Sequence, residues 1–381
     1  MRKPLVVSGP PRRVAIVAAS ARSLAVLRGP LIETLVRRGI AVLCIAPQFT
    51  TDDEARLAAL GAEREAFDSE PGGPRMLRDW RVSRSLAEIF KRWQADAVIA
   101  QSGRLMCLAL IAGRGCGVGR CLALVNELPI GSADKTVSAA TERIPERLLA
   151  KAFAAADVVV FHNRDQLRQI ERAALLPPGV KSHVVAGAGV DLAHVTAMPL
   201  PGAADGIAFL MISTLDLSRG VLDYCAAARS LAQRAPNARF RLAGPAGTGP
   251  TGLSPDALKP FSDVVTFAGP LADVRPALAD CHVFVYPSHG EGMPRAILEA
   301  LAAGRPVITT TTPGCRDTVD DRVNGCLVAP GDVEGLDAAM ASFLKRPDLL
   351  PAMSRASRLK AERHFDQRRV LETITAAIGL G

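Results

Sequence analysis

Aromatic residues are scarce in this chain: phenylalanine, tyrosine and tryptophan together make up 4% of 381 residues. Stacking platforms for bases are correspondingly few, which argues against a single-stranded nucleic-acid binder, and no nucleic-acid partner is expected. Long apolar runs are also lacking. No stretch approaches the roughly 18 residues of a transmembrane helix. The run from Val14 to Ala21 is short and is followed by Arg22, so it reads as a first strand and not as a signal peptide. Charge blocks are absent: Arg12-Arg13, Arg37-Arg38 and Lys91-Arg92 are small clusters that read as solvated helix faces. The eight cysteines are scattered, with no C-x-x-C pair and no metal-like Cys/His spacing. They read as small buried residues of a reducing compartment, so the expected location is cytoplasmic. None of the six histidines pairs with metal-ligand spacing, and no Ser/His/Asp order is identifiable. Neither a metal site nor a hydrolase triad is expected.

What is present is apolar and basic. Hydrophobic residues make up 49% and charged residues 22%, enough to bury large cores built from Ala, Val and Leu. The length suits two domains. A net charge of +8 fits anionic substrates or peripheral contact with an anionic membrane surface, and equally a plain basic protein.

Short apolar runs alternate with amphipathic segments through the first half. Val14–Val17 reads as a strand, Leu27–Arg38 as a helix and Ile40–Ile45 as a second strand. The polar stretch Glu63–Arg81, with Pro71-Gly72-Gly73-Pro74, reads as a loop before a helix near Ser83–Trp93. Strands follow at Ala97–Ala100, Cys121–Val125, Val158–Phe161 and His183–Val185. Between Val190 and Gly206 the chain is rich in proline and glycine, as a linker would be. The alternation then restarts with Ile207–Ile212, a helix Val221–Arg234, Arg239–Ala243 and Val264–Ala268, and ends in a mostly helical stretch from Leu336. Repeated β–α alternation predicts parallel, doubly wound sheets.

The most informative segment is EGMPRAILEALAAGRPVITT, Glu291 to Thr310. The apolar run Val283–Tyr286 precedes it, Pro294 suits a first helical position, the helix stops at Gly304, and a β-branched strand Val307–Thr310 follows. A strand–loop–helix–strand unit of this kind offers free amides and a helix N-terminus to an anion. Glu291 in the loop and Glu299 in the helix could each accept hydrogen bonds from hydroxyls, as a sugar-nucleotide would supply. Spacing alone equally allows a solvated loop acid and a polar residue on a buried helix. A second glycine pattern, Gly247-Thr248-Gly249-Pro250-Thr251-Gly252, satisfies G-x-G-x-x-G. Pro250 and Leu253-Ser254-Pro255 oppose a helix opening there, so it reads as a loop and not as a nicotinamide site.

The Glu291–Glu299 segment resembles the E-x7-E signature of retaining glycosyltransferases of family 4. Pro313-Gly314-Cys315-Arg316-Asp317-Thr318-Val319 and Asn324-Gly325-Cys326-Leu327-Val328 resemble the downstream pattern of bacterial members that build surface polysaccharides. The resemblance is dense from Asp273 to Pro330, looser from Gly206 to Ala272 and thin before that. It implies an α/β chain of two Rossmann-like domains (GT-B) facing a central cleft. The implied divisions are residues 1–195 on the acceptor side, 206–362 on the nucleotide-sugar donor side, and a C-terminal helix in 363–381 crossing back. Donor contacts are implied at Ser213, Thr214, Arg219, Gly290, Gly292, Met293, Arg295 and Glu299, with Glu291 and Asn126 at the reacting sugar. Relatives usually carry Arg and, five residues on, Lys where this chain has Thr214 and Arg219, so one cation is missing. Asn126-Glu127 lies where relatives often have His-Gly, and Gln101 falls near another frequent histidine. No metal and no cofactor are implied. The expected activity is transfer of a hexose or N-acetylhexosamine from a nucleotide-diphosphate sugar to a glycan or polyprenyl-diphosphate-linked acceptor. The alternative is a binding or partner subunit of the same fold with impaired catalysis; an epimerase reading lacks a second acid/base set.

Overall fold

The computed structural model describes residues 9–68, 74–101, 103–126, 144–202, 206–290 and 292–381. The chain divides into two compact units. Of the described residues, the first takes those up to Ala188 together with Arg368–Gly381, and Gly189–Gln367 belong to the second.

The first unit is a seven-stranded sheet: β1 Arg13–Val17, β2 Ala41–Ala46, β3 Glu63–Ala66, β4 Ala97–Gln101, β5 Arg120–Val125, β6 Val158–Phe161 and β7 Lys181–Val184. The order is β3-β2-β1-β4-β5-β6-β7, with every pair parallel. β3 and β7 at the two edges are polar, while the inner parallel strands are covered on both faces, which is why their runs are largely apolar. Alternation along β1 divides them: Ala15 and Val17 join a core with Phe90, Met106 and Phe153, while Val14 and Ile16 face the opposite one with Leu31, Leu35 and Ile99. Val370, Ile374 and Ile378 of the C-terminal stretch lie in that second core.

The second unit carries β8 Ala208–Ile212, β9 Arg239–Ala243, β10 Val265–Phe267, β11 Val283–Tyr286, β12 Val307–Thr310 and β13 Gly325–Val328. Their order is β10-β9-β8-β11-β12-β13, again all parallel. Both orders reverse once, at β1/β4 and at β8/β11, the places where open α/β sheets leave a crevice beyond the strand ends. Among the described residues no helix is long and apolar enough to cross a membrane.

Three local expectations need correction. Glu63–Arg81 is not all loop: β3 pairs with β2 from Leu43↔Glu63, and a helix starts at Arg75 and runs to Arg92. β3 is a charged edge strand, and charge on an edge discourages pairing with other chains at the cost of any apolar signal. The helix expected at Leu27–Arg38 is two helices, Ala21–Leu27 and Gly29–Arg37, meeting at Arg28. Pro294 is the capping residue, with φ −70° and ψ 119°, and the helix Arg295–Ala302 begins one residue later.

Candidate active site

Two loops at the carboxyl ends of β8 and β11 form the candidate donor site in the second unit. Ser213, buried at the end of β8, donates its N–H to the Ala243 carbonyl (2.9 Å) and its hydroxyl to the Thr214 carbonyl (2.9 Å). Thr214 is exposed. Asp216 ties the loop together: its carboxylate accepts from Ser218 N (2.8 Å), Ser218 Oγ (2.6 Å) and Thr251 Oγ1 (2.9 Å). Burial works to raise the Asp216 carboxyl, but these hydrogen bonds and the nearby Arg219 hold it below its ordinary value. Arg219 is half-buried in the turn Leu217–Arg219. Burial pushes the Tyr286 phenol and the Cys315 thiol up, and the charge of Arg219 opposes both shifts. A cation therefore sits at the end of β11 within electrostatic reach of the second loop.

Gly220 lets the two loops meet. Its φ is +72°, and a Cβ there would stand 2.0 Å from the Pro287 carbonyl oxygen. Contacts continue past this crossing: the Ser218 carbonyl accepts from His289 N (2.9 Å) and Ser288 Oγ (3.3 Å), and Thr310 Oγ1 donates to the Ser288 carbonyl (2.6 Å). The same logic accounts for the second glycine pattern. A Cβ on Gly247 would lie 1.9 Å from the Leu215 carbonyl oxygen, so this loop needs glycine for close backbone packing.

His289 Nε2 lies 2.6 Å from Asp223 Oδ2, a side-chain tie between the β11 loop and the helix Val221–Ala232. That hydrogen bond raises the imidazole above its ordinary value, with burial opposing. A raised folded-state value means that the stabilisation is fully present below the unfolded value, about 6.5, and is lost as pH rises through the folded one. The urea midpoint of the protein should therefore fall as pH rises above about 6.5, and Asp223→Asn should flatten that decline. Identical slopes in both proteins would remove the pair from the stability of this loop.

The helix Arg295–Ala302 follows, with the positive end of its dipole toward the loop. Gly290 is half-buried and donates its N–H to Ser288 Oγ (3.3 Å); Gly292 is buried, Met293 half-buried and Arg295 exposed. Glu299 is largely buried, with Oε1 accepting from Arg295 Nε at 2.8 Å. Burial raises the Glu299 carboxyl, and the Arg295 charge and hydrogen bond oppose this. Glu291 lies outside the described residues. Ser213, Thr214 and Arg219 thus lie on the β8 loop, and Gly290, Gly292, Met293, Arg295 and Glu299 on the neighbouring β11 loop and the helix that follows it.

Asn126 belongs to the first unit, at the end of β5. Its Oδ1 accepts from Arg28 Nη2 (2.9 Å) and its carbonyl from Gln166 Nε2 (2.7 Å). Arg28 Nε also donates to Gln101 Oε1 (2.5 Å), and Nη2 lies 3.4 Å from His162 Nε2. Burial lowers the Arg28 guanidinium to about 10, so it remains charged at neutral pH. The His162 imidazole is pushed well below its ordinary value by burial and then by Arg28, which keeps it neutral. Sequence reading missed Arg28 and His162. The one available signal was Arg28-Gly29-Pro30 inside an assumed single helix, since proline in a helix interior marks a break. Among the described residues no three His, Cys, Asp or Glu side chains are grouped as metal ligands would be.

Comparison with known proteins bears on both units. Residues 206–346 match the family described as glycosyl transferases group 1, and residues 25–188 match the glycosyl transferase 4-like domain. WcaL of Escherichia coli K12, described as a colanic acid biosynthesis glycosyltransferase, is 30% identical over 193 residues, 47% of either chain. Glycogen synthase of Mycobacterium tuberculosis is 33% identical over 217 residues, covering 55% of this chain and 51% of the relative. The chain thus spans about half the length of these curated relatives. Among solved structures, Alr3699/HepE from Anabaena in complex with UDP superposes with a TM-score of 0.77 at 17% identity, covering 96% of this chain and 99% of the other. By that likeness and by its two parallel sheets the chain has the GT-B fold, and each of its units matches a glycosyltransferase domain: the 4-like domain in the first and the group 1 domain in the second.

Proposed function

We propose that the chain is a retaining glycosyltransferase that moves a hexose or N-acetylhexosamine from a nucleotide-diphosphate sugar, a UDP-sugar by preference, to a glycan or polyprenyl-diphosphate-linked acceptor in surface polysaccharide assembly. The observation that carries this reading is the pair of stitched loops at the β8/β11 reversal, one carrying Arg219 and the other leading into the helix that holds the largely buried Glu299. Arg219, the amides of Gly292, Met293 and Arg295, and the helix dipole would stabilise the negative charge that develops on the leaving diphosphate. Such an arrangement needs no metal for that task. Glu299 would accept hydrogen bonds from the ribose hydroxyls, exchanging Arg295 for the donor. Glu291, by the E-x7-E pattern, would contact the donor sugar near the reacting carbon, with the leaving phosphate serving as base on a front-face route. The likeness of WcaL supports the polysaccharide role, and a UDP complex among the structural neighbours supports the donor class. Contact with an anionic membrane surface suits the basic charge balance.

A second reading, a partner subunit of the same fold with impaired catalysis, is favoured by one residue. Thr214 offers a hydroxyl where relatives place a cation. Both readings meet in one experiment: titration of the purified chain with UDP-, GDP- and ADP-sugars, followed by NMR of the released sugar. A single donor bound and slowly hydrolysed with retained anomeric configuration is the expected result. Binding without turnover, even with lipid-linked acceptors added, would favour the partner subunit.

A further inference from the structure

The helix Arg75–Arg92 packs into the core of the first unit through Leu86, Ile89 and Phe90. Its first turns present large apolar side chains to solvent instead: Met76 is 82% exposed, Leu77 51% and Trp80 58%. Residues three and four apart are neighbours on a helix, so Leu77 and Met76 both adjoin Trp80 in one patch. Every other exposed large apolar residue among the described ones stands alone in sequence, and single ones are ordinary. The chain has two tryptophans, and the contrast between them is informative. Trp93, just past the end of the same helix, is buried and donates Nε1 to Glu63 Oε2 (3.2 Å). Trp80 is left in water with the Arg84 guanidinium 5.5 Å from its ring centroid. Charge around the patch is of one sign. Residues 75–84 carry four arginines against one aspartate, and Asp79 is held by Arg104 (2.9 Å at Oδ1). Arg81 is exposed and forms no ion pair with a described residue. The first turn has no acid, although the positive end of a helix dipole favours one.

We infer that this patch docks the first unit onto an anionic lipid surface, with Met76, Leu77 and Trp80 entering the headgroup boundary and Arg81 and Arg84 meeting lipid phosphates. Tryptophan joins an apolar body to an N–H that stays at the polar boundary. Arginine can lay its stem along apolar surface while its guanidinium reaches phosphate. Arginines at the positive end of a helix repel its dipole, and an anionic surface offsets that cost. The helix would lie on the bilayer and not cross it, because six basic and two acidic residues among its 18 bar it from hydrocarbon. Only the consequence, that docking brings the first unit to a lipid-linked acceptor, rests on the transferase reading; the docking itself stands on this helix.

Flotation of the full chain with vesicles of mixed phosphatidylcholine and phosphatidylglycerol, and with vesicles of phosphatidylcholine alone, tests this. The mixed vesicles should bind the chain, and the neutral ones should bind it at least about tenfold less. Trp80→Ser should weaken binding to mixed vesicles about tenfold or more, the scale of one large apolar side chain leaving water. Arg81→Gln should weaken it about fivefold, the scale of one basic side chain at an anionic surface. Both side chains are exposed, so neither change should move the urea midpoint. In Trp93→Phe the remaining tryptophan is Trp80, whose emission should shift to the blue on mixed vesicles; the flotation series does not depend on that variant. Absence of binding to mixed vesicles, or equal binding by the unmodified chain, Trp80→Ser and Arg81→Gln, overturns the assignment. An unshifted Trp80 emission in the bound chain overturns it too, as does a dimer that Trp80→Ser dissolves in a chain that binds no vesicle. Trp80-dependent vesicle binding by a chain that transfers no sugar would uphold the surface and remove its link to an acceptor.

Discussion

Gly220→Ala is expected to destabilise the protein by roughly 3 kcal/mol or more and to weaken donor binding at the same time. Two costs combine. The left-handed backbone at φ +72° is unfavourable for alanine by about 1–2 kcal/mol. The new Cβ would also meet the Pro287 carbonyl oxygen at 2.0 Å, which neither backbone can accommodate without moving. The movement would separate the Ser218 carbonyl from His289 N and Ser288 Oγ, the contacts that set the β11 loop against the β8 loop. Gly249→Ala is the control: its φ is +80°, but nothing lies within 4 Å of a Cβ there, so only the backbone cost of about 1–2 kcal/mol applies. Urea unfolding of both variants, with donor titration, checks this. Equal losses would show that the Pro287 contact contributes nothing.

Glu291→Ala is expected to lower turnover about a hundredfold or more while changing donor affinity far less, the scale on which positioned polar groups act at a reacting centre. The split follows from where the two acids stand in the segment. Glu299 lies within the helix Arg295–Ala302, one to two turns from the amides proposed for the diphosphate, and its proposed part is to bind the donor. Glu291 precedes those amides in the loop, where the sugar would project. Donor hydrolysis at saturating donor, measured for the unmodified chain and the variant, separates turnover from affinity. An unchanged turnover number would take Glu291 out of the chemistry.

The fold was largely legible because most strands are buried on both faces. Runs such as Val158–Phe161 and Val283–Tyr286 carry the signal without help from their neighbours. β3 escaped notice because Glu-Arg-Glu-Ala lies at a sheet edge, where charge is favoured and apolar patterning is not. The site was legible only where it is local in sequence. The acids, glycines and helix start of residues 290–299 lie on one short stretch. The tie of His289 to Asp223 spans 66 residues, and the reach of Arg28 to Asn126 spans 98. Pairings of that kind are set by the order of strands in a sheet, and no spacing rule records them. The glycines around Gly247 show the converse case: a pattern that matches G-x-G-x-x-G, and that its prolines mark as a loop, reflects two backbones packed too closely for a side chain.

The measurement that tests the account most directly is a calorimetric titration of the unmodified chain and of Glu299→Ala with the UDP-sugar that the donor panel selects. The account predicts saturable binding by the unmodified chain and a dissociation constant roughly 10- to 150-fold weaker for Glu299→Ala, since a charged acceptor of hydroxyl hydrogen bonds is lost. Equal affinities in the two proteins, or no nucleotide-sugar bound by either, would contradict it.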